Sequence, residues 1–334
     1  MKKSAKNCAI FFVGLLLIGV CIPLSRGGKP KKRLDTGAQI KKEIDICLNG
    51  TRDHVSAKIN EAKVVEYPFP HLIVDEILPP HLYKEIAKRW PDEQLFKGVR
   101  GAIPVNYGAS ESFPLDLSKK HFWRIFGEVV VDRYIKPKIV EKFLPYLYQK
   151  YRMNSIGLEF VKRNINQCFA NSRQDGLILD RGGYEISPHV DQLNMFVQIL
   201  IYLPKEGDTY SEDLGTCLYE SEEAKIEDID YTGAIYRHYG DCSQKKEVKL
   251  CKKVPYRPNQ LVVFLQSPLA WHGVDPVPPG QVRRLFFSPL KFSPEFMEDF
   301  YEEYPRSLIQ DYFFESRFMD AIKNSNIWDE NYTM

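Results

Sequence analysis

The chain has little net charge: 46 Lys and Arg stand against 44 Asp and Glu, a balance of +2 over 334 residues. A protein that tracks nucleic acid carries a concentrated basic surplus, and no such footprint is present. No internal repeat is visible, which excludes a stacked-repeat architecture. Cysteine is scarce, with seven residues in all. Five of them (Cys47, Cys168, Cys217, Cys242 and Cys251) follow the first 25 residues. Cys242 and Cys251 flank a short lysine-rich segment and would close a hairpin in an oxidising compartment; the alternative is five free thiols. A clear small-x-small cleavage site is also missing after the apolar run Cys8 to Leu24, and Val20 before Cys21 makes a poor lipid-attachment box.

That run is uninterrupted and follows Lys2, Lys3 and Lys6, though it falls slightly short of the roughly 20 residues of a comfortable membrane span. It reads as a signal-anchor helix within residues 1–25, with cleavage as the runner-up. Residues 26–60, basic and polar, read as a stem or linker, and 61–334 as the catalytic domain. Orientation draws on opposing signals. Arg26, Lys29, Lys31, Lys32 and Arg33 after the run favour a cytosolic domain. The glycosylation acceptors Asn49-Gly50-Thr51 and Asn331-Tyr332-Thr333, with the cysteines, favour a lumenal one. The expectation is a single-pass membrane protein with its domain in the lumen of the endoplasmic reticulum or Golgi.

A hydrophobic content of 44% supports a real core. Tyr67 to Ile77 reads as a strand. Pro79-Pro80 then opens an amphipathic helix, with Leu82, Ile86 and Trp90 on one face and Pro91 as its stop. Lys119 to Arg152 reads as helical, broken near Pro137 and Pro145. Met195 to Leu203 and Gln260 to Leu265 are apolar on both faces, as buried strands are. Lys205 to Arg257 is charged and poor in core residues, and is expected to form loops and hairpins around the mouth of a site. The tail from Pro294, with Phe296, Phe300 and Tyr304 at helical spacing, reads as a helix packed on the outside.

The chemistry-bearing residues are Pro188-His189-Val190-Asp191 and, far downstream, Trp271-His272-Gly273-Val274. A strand puts residues i and i+2 on one face, so His189 and Asp191 point the same way. His272 from another strand would complete a two-histidine, one-carboxylate face. That set suits non-haem Fe(II), with positions left open for a co-substrate and O2. Arg283 and Arg284 then enter an apolar strand, where a buried guanidinium calls for an anionic partner. A dicarboxylate would supply one, since the planar fork of arginine holds a carboxylate with two hydrogen bonds. The plain alternative is one arginine paired with a protein carboxylate and the other facing water.

Gly183 to Asp191 resembles the first iron-binding element of the 2-oxoglutarate and Fe(II)-dependent dioxygenases, in their prolyl-hydroxylase-like branch. Pro258 to Phe264, Trp271 to Val274 and the arginine pair are similar to that family's distal histidine and co-substrate strand. Leu214 to Tyr219 sits where the family has a Gly-rich strand, and Pro68 to Asp75 is a weaker match to its lead-in. The resemblance implies a double-stranded β-helix, or jelly roll, with flanking helices. It also implies His189, Asp191 and His272 as iron ligands. It places the far carboxylate of 2-oxoglutarate on Arg283, which fits best, or on Arg284 because the turn here has about one extra residue, with Tyr202 beside it. Trp271 and Phe287 are candidate wall residues. The implied reaction couples decarboxylation of 2-oxoglutarate, to succinate and CO2, to hydroxylation of a C–H bond, with ascorbate as an accessory reductant. The acceptor is a prolyl or lysyl side chain of a protein, a glycan or a small molecule.

Two other readings stand beside this one. A short anchor, a basic stem and Asp228-Ile229-Asp230 match the layout of a membrane-tethered glycosyltransferase, although no alternating strand–helix pattern surrounds that tripeptide. A jelly-roll binding module without chemistry is the third, and it leaves the complete ligand set without a purpose.

Overall fold

The computed structural model describes residues 36–105, 117–146, 169–170, 175–191, 195–221, 248–267 and 269–292. Helices α1 (Thr36–Leu48) and α2 (Thr51–Glu61) lead into strand β1 (His71–Val74), helix α3 (Pro80–Arg89) and β2 (Arg100–Pro104). Then come α4 (Leu117–Ile125), a π-helical segment over Phe126–Ile135, and α5 (Lys136–Phe143). The remaining strands are β3 (Phe169–Ala170), β4 (Gly176–Arg181), β5 (Ile186–His189), β6 (Met195–Tyr202), β7 (Cys217–Ser221), β8 (Val248–Lys253), β9 (Gln260–Leu265), β10 (His272–Val274), β11 (Val282–Phe287) and β12 (Leu290–Phe292).

The eight strands β4 to β11 form the jelly roll. One sheet contains β9-β6-β11-β4 in that order, and the other is β5-β10-β7-β8. Successive strands pass between the two sheets, except where β7 pairs with β8, and every pairing is antiparallel. The larger sheet is extended by β1 on one side and β2 on the other, with β12 and β3 joined to β6. The fold is therefore a double-stranded β-helix carrying helices.

All eight residues of β6 and all six of β9 are buried, because these central strands are covered on both faces. Leu177, Leu179, Ile199, Ile201, Leu261, Val263 and Phe286 belong to a core shared with the helices. Ile178, Leu200, Tyr202, Val262, Phe264 and Leu285 join a second core with Leu218, Val254 and Val274 of the smaller sheet's side. Alternation along each strand thus sorts one set toward the helices and the other into the barrel.

The helical region is one continuous stack. Pro137 falls at the junction of the π-helical segment and α5, where the bonding changes from the wider turn (Lys136 N–H to the Val131 carbonyl) and the helix runs on through a residue without an N–H, and Leu144-Pro145-Tyr146 follows as a 3-10 turn. Leu82 and Ile86 of α3 are buried as their spacing predicts. Lys136 ties the stack to the sheet: its Nζ donates to Asp132 at 2.6 Å and to Asp175, next to β4, at 3.1 Å.

The stem reading of residues 26–60 is corrected from residue 36 onward. α1 packs on α3, α4 and the π-helical segment, and α2 on that segment and α5. Cys47, Val55 and Ile59 are buried in the helix-side core, and Glu43 accepts from Arg89 of α3 at 3.0 Å. Charge on the outer faces hid a narrow apolar stripe, in which Val55 and Ile59 stand four apart. Asn49 is exposed in the turn between the helices, whereas Thr51 of the same acceptor tripeptide is buried. Cys251 is a free thiol that meets the Tyr67 hydroxyl at 3.3 Å; Cys168 and Cys242 lie outside the described residues. So do the apolar run before residue 25, Asp228 to Asp230, His238, the second acceptor at Asn331 and the tail from Pro294. Among the described residues, no helix is long and apolar enough to cross a membrane.

If α2 belongs to the folded domain, Ile59→Ala opens a cavity and lowers unfolding stability by about 2–5 kcal/mol. A stem residue would shift it by less than about 0.5 kcal/mol. Chemical denaturation of the two proteins separates these outcomes.

Candidate metal centre and co-substrate pocket

Strand pairing brings the two histidines together. His272 of β10 is the direct cross-strand partner of His189 of β5, and direct partners share a face. Gly273 permits this approach, since a Cβ there would stand 2.7 Å from the Ile186 carbonyl oxygen of β5. The imidazole centroids are 4.4 Å apart. Asp191, two residues past His189, lies between them: its Oδ1 is 3.4 Å from His189 Nε2 and its Oδ2 3.3 Å from His272 Nε2. One ligand atom from each of the three residues falls within 4.8 Å of the other two.

The hydrogen bonds fix the state of both rings. His189 Nδ1 is 2.9 Å from the Ser187 carbonyl oxygen, and His272 Nδ1 is 2.9 Å from that of Ala270. A carbonyl only accepts, so each Nδ1 carries a proton. In a neutral imidazole, Nε2 is then a lone-pair acceptor. Facing the Asp191 carboxylate, each Nε2 donates a proton to it when the ring is charged, or offers its lone pair to a cation placed among the three residues when the ring is neutral. Ligands about 2.1 Å from an ion and about 90° apart are separated by roughly 3 Å, close to the spacing here. The residues therefore fit a divalent metal, and each ring's backbone bond is the kind of outer support that orients a metal-binding histidine.

Asp191 is nearly buried, which works against its charge, yet the two imidazoles hold its carboxyl well below the usual range. Two glutamines unremarked in the sequence complete its surroundings. Gln198 of β6 donates through Nε2 to Asp191 Oδ2 at 2.5 Å, and Gln266, just past β9, donates to the same oxygen at 3.0 Å. The one available signal was a polar side chain inside, or immediately after, an otherwise apolar strand. Lys291 of β12 is also near: burial lowers its pKa, and Asp191 opposes that shift.

The two arginines part company. Adjacent residues of β11 face opposite ways. Arg284 lies on the helix side, over the Trp90 ring, bonded to Asp208 at 2.7 Å and to Glu93 at 2.5 Å. It is removed from the candidate co-substrate residues for that reason. Arg283 faces the barrel, with its guanidinium carbon 5.4 Å from the Tyr202 ring centroid and Nη2 3.5 Å from Thr216 Oγ1. The two are 2% and 1% exposed, so the plain alternative in which one of them faces water does not hold. Arg283 already has an acid of its own, donating through Nη1 to Asp180 Oδ2 at 2.7 Å. Burial works against its charge, while Tyr202 and Asp180 more than offset this and raise its pKa above arginine's ordinary range.

Tyr202 lies in the barrel beside Arg283. Its hydroxyl is 2.7 Å from Thr216 Oγ1 and accepts from the Thr216 N–H at 2.9 Å. Thr216 connects this cluster to the histidines. Leu218, two residues on, pairs with His272, so the clusters are offset by one strand repeat, about 7 Å. The Phe264 ring centroid lies 4.6 Å from that of His272 at a tilt of 56°, and Phe287 packs against the barrel core; Trp271 is half-buried just before β10.

Several solved structures of low sequence identity match the chain. A prolyl hydroxylase from Trichoplax adhaerens, in complex with a hypoxia inducible factor peptide, is 12% identical over 80% of this chain and 97% of that one, with a TM-score of 0.35. A prolyl 4-hydroxylase from Phytophthora capsici is 12% identical over 83% and 76%, with a TM-score of 0.35. HygX from Streptomyces hygroscopicus, with nickel, 2-oxoglutarate and hygromycin B bound, is 11% identical over 66% and 82%, with a TM-score of 0.38. No family profile and no curated protein sequence matches the chain.

Replacing Gln198 or Gln266 by Leu should weaken divalent metal affinity by about 10- to 100-fold, because each orients Asp191. Calorimetric titration with Mn(II) measures this. An unchanged affinity in both variants would show that neither glutamine supports the carboxylate.

Proposed function

We propose that this protein is a 2-oxoglutarate- and Fe(II)-dependent dioxygenase that hydroxylates a C–H bond of its substrate. The observation that carries the reading is the convergence of His189 Nε2, His272 Nε2 and the Asp191 carboxylate on one place, with both Nδ1 atoms taken by backbone carbonyls. His189, Asp191 and His272 would hold the Fe(II). When bound, iron and 2-oxoglutarate supply the O2-dependent oxidation, with loss of CO2 and formation of succinate.

The chain's own residues bind, orient and exclude water. The carbonyls of Ser187 and Ala270 take both Nδ1–H groups and so turn both Nε2 atoms inward. Arg283, with Thr216 and Tyr202 beside it, would take the far carboxylate of 2-oxoglutarate, one strand repeat from the histidines. Phe264, Leu218 and Val274 keep the space between apolar. We take a protein side chain, prolyl or lysyl, as the first substrate class to test. The segment before residue 25 is proposed as a membrane anchor with the domain on the lumenal side.

The glycosyltransferase reading finds no support, since the described strands form a jelly roll rather than an alternating strand–helix sheet. One observation does favour a binding module without chemistry: Arg283 is already paired with Asp180.

Decarboxylation of 2-oxoglutarate by purified protein with added Fe(II) decides between these. Turnover is expected in the wild type and is lost in His189→Ala. In Arg283→Gln the KM for 2-oxoglutarate rises by about tenfold or more, the value of a charge-assisted hydrogen bond. Iron-loaded wild type that never turns over would leave the binding module as the function.

A further inference from the structure

The Arg283–Asp180 pair poses a problem for an anion site, because a guanidinium neutralised by its own chain has little reason to take a ligand carboxylate. The register of the larger sheet supplies the answer. Arg100 of β2, Asp180 of β4 and Arg283 of β11 are direct cross-strand partners in one row. Direct partners project from the same face, here the barrel face. Charge along the row runs plus, minus, plus.

Both outer members hold the acid. Arg283 Nη1 bonds Asp180 Oδ2 at 2.7 Å, and Arg100 Nη1 stands 3.6 Å from Asp180 Oδ1. Arg100 is fixed by Tyr184: it donates to the Tyr184 hydroxyl, and its guanidinium carbon lies 4.8 Å from that ring's centroid. Asp180 is 0% exposed and Arg283 2%, whereas the Arg100 side chain is 35% exposed, so the shared carboxylate joins a buried cation to one at the water's edge. The row carries one surplus positive charge, and Arg283 Nε is buried without a hydrogen-bond partner among the described residues. A buried guanidinium N–H without a partner calls for an acceptor.

We propose that Arg100 is a positioning residue of the co-substrate pocket: by drawing on Asp180, it leaves Arg283 with charge and a donor to offer the far carboxylate of 2-oxoglutarate. This rests on the oxygenase reading. Sequence alone could not have found it, since Arg100 and Asp180 stand 80 residues apart and outside every motif of the family resemblance.

The test is a titration of full-length protein with 2-oxoglutarate in the presence of Mn(II), a stand-in for Fe(II), alongside turnover with Fe(II). Arg100→Gln should weaken 2-oxoglutarate about tenfold, the effect of a unit charge across roughly 10 Å at an effective dielectric of about 20. Mn(II) affinity and kcat at saturating co-substrate should be retained. Arg100→Lys, which keeps the charge, should stay within about twofold of wild type. The double variant Arg100→Gln, Asp180→Asn removes the cation and the acid together, so Arg283 is again uncompensated and affinity should return. A merely structural role would make the double variant worse, not better. Unchanged affinity in Arg100→Gln, or no recovery in the double variant, overturns the assignment and leaves the oxygenase reading standing. Wild type that binds Mn(II) but never 2-oxoglutarate overturns both.

Discussion

The pairing of His272 with His189 across β10 and β5 is the constraint on which the site depends. A slip of one residue would turn one imidazole out of the barrel, because strand side chains alternate faces. Gly273 allows the strands to approach at that point, and the backbone carbonyls two residues before each histidine settle which nitrogen is protonated. Asp191 is then held between the two Nε2 atoms, with two glutamines from the opposite sheet on its second oxygen. Each element of this arrangement is a hydrogen bond or a register position, and together they aim three ligand atoms at one place.

A second balance runs through the larger sheet. β11 is buried on both faces and carries two adjacent arginines, so each face must supply acids. Asp208 and Glu93 do so on the helix side, where Arg284 clamps the loop after β6 and the 3-10 turn Glu93–Leu95 against the sheet. On the barrel side a single acid, Asp180, is shared between Arg283 and Arg100. The helix-side arginine is therefore held by two carboxylates, whereas buried Arg283 shares its single acid with the partly exposed Arg100.

The sequence shows some of these features plainly and conceals others for physical reasons. His189, Asp191 and His272 are legible because a metal face needs particular side chains at strand spacing, and β6 and β9 because a doubly covered strand is apolar throughout. The choice between Arg283 and Arg284 is not legible: in a strand buried on both faces neither neighbour marks the inward side. Gln198 and Gln266 pass as stray polar residues, since their meaning lies in Asp191 across the barrel. α1 and α2 read as a stem because their charges outnumber an apolar stripe made of Cys47, Val55 and Ile59. Arg100 and Asp180 acquire a role only when β2 is laid beside β4, and that pairing has no local signature.

The most direct test of the central claim is a crystal structure grown without oxygen in the presence of Fe(II), with the metal located by its anomalous scattering. The account predicts one strong peak bonded to His189 Nε2, His272 Nε2 and a carboxylate oxygen of Asp191, with both Nδ1 atoms still on the Ser187 and Ala270 carbonyls. A barrel with no peak there, or with either ring turned to bind through Nδ1, would contradict it.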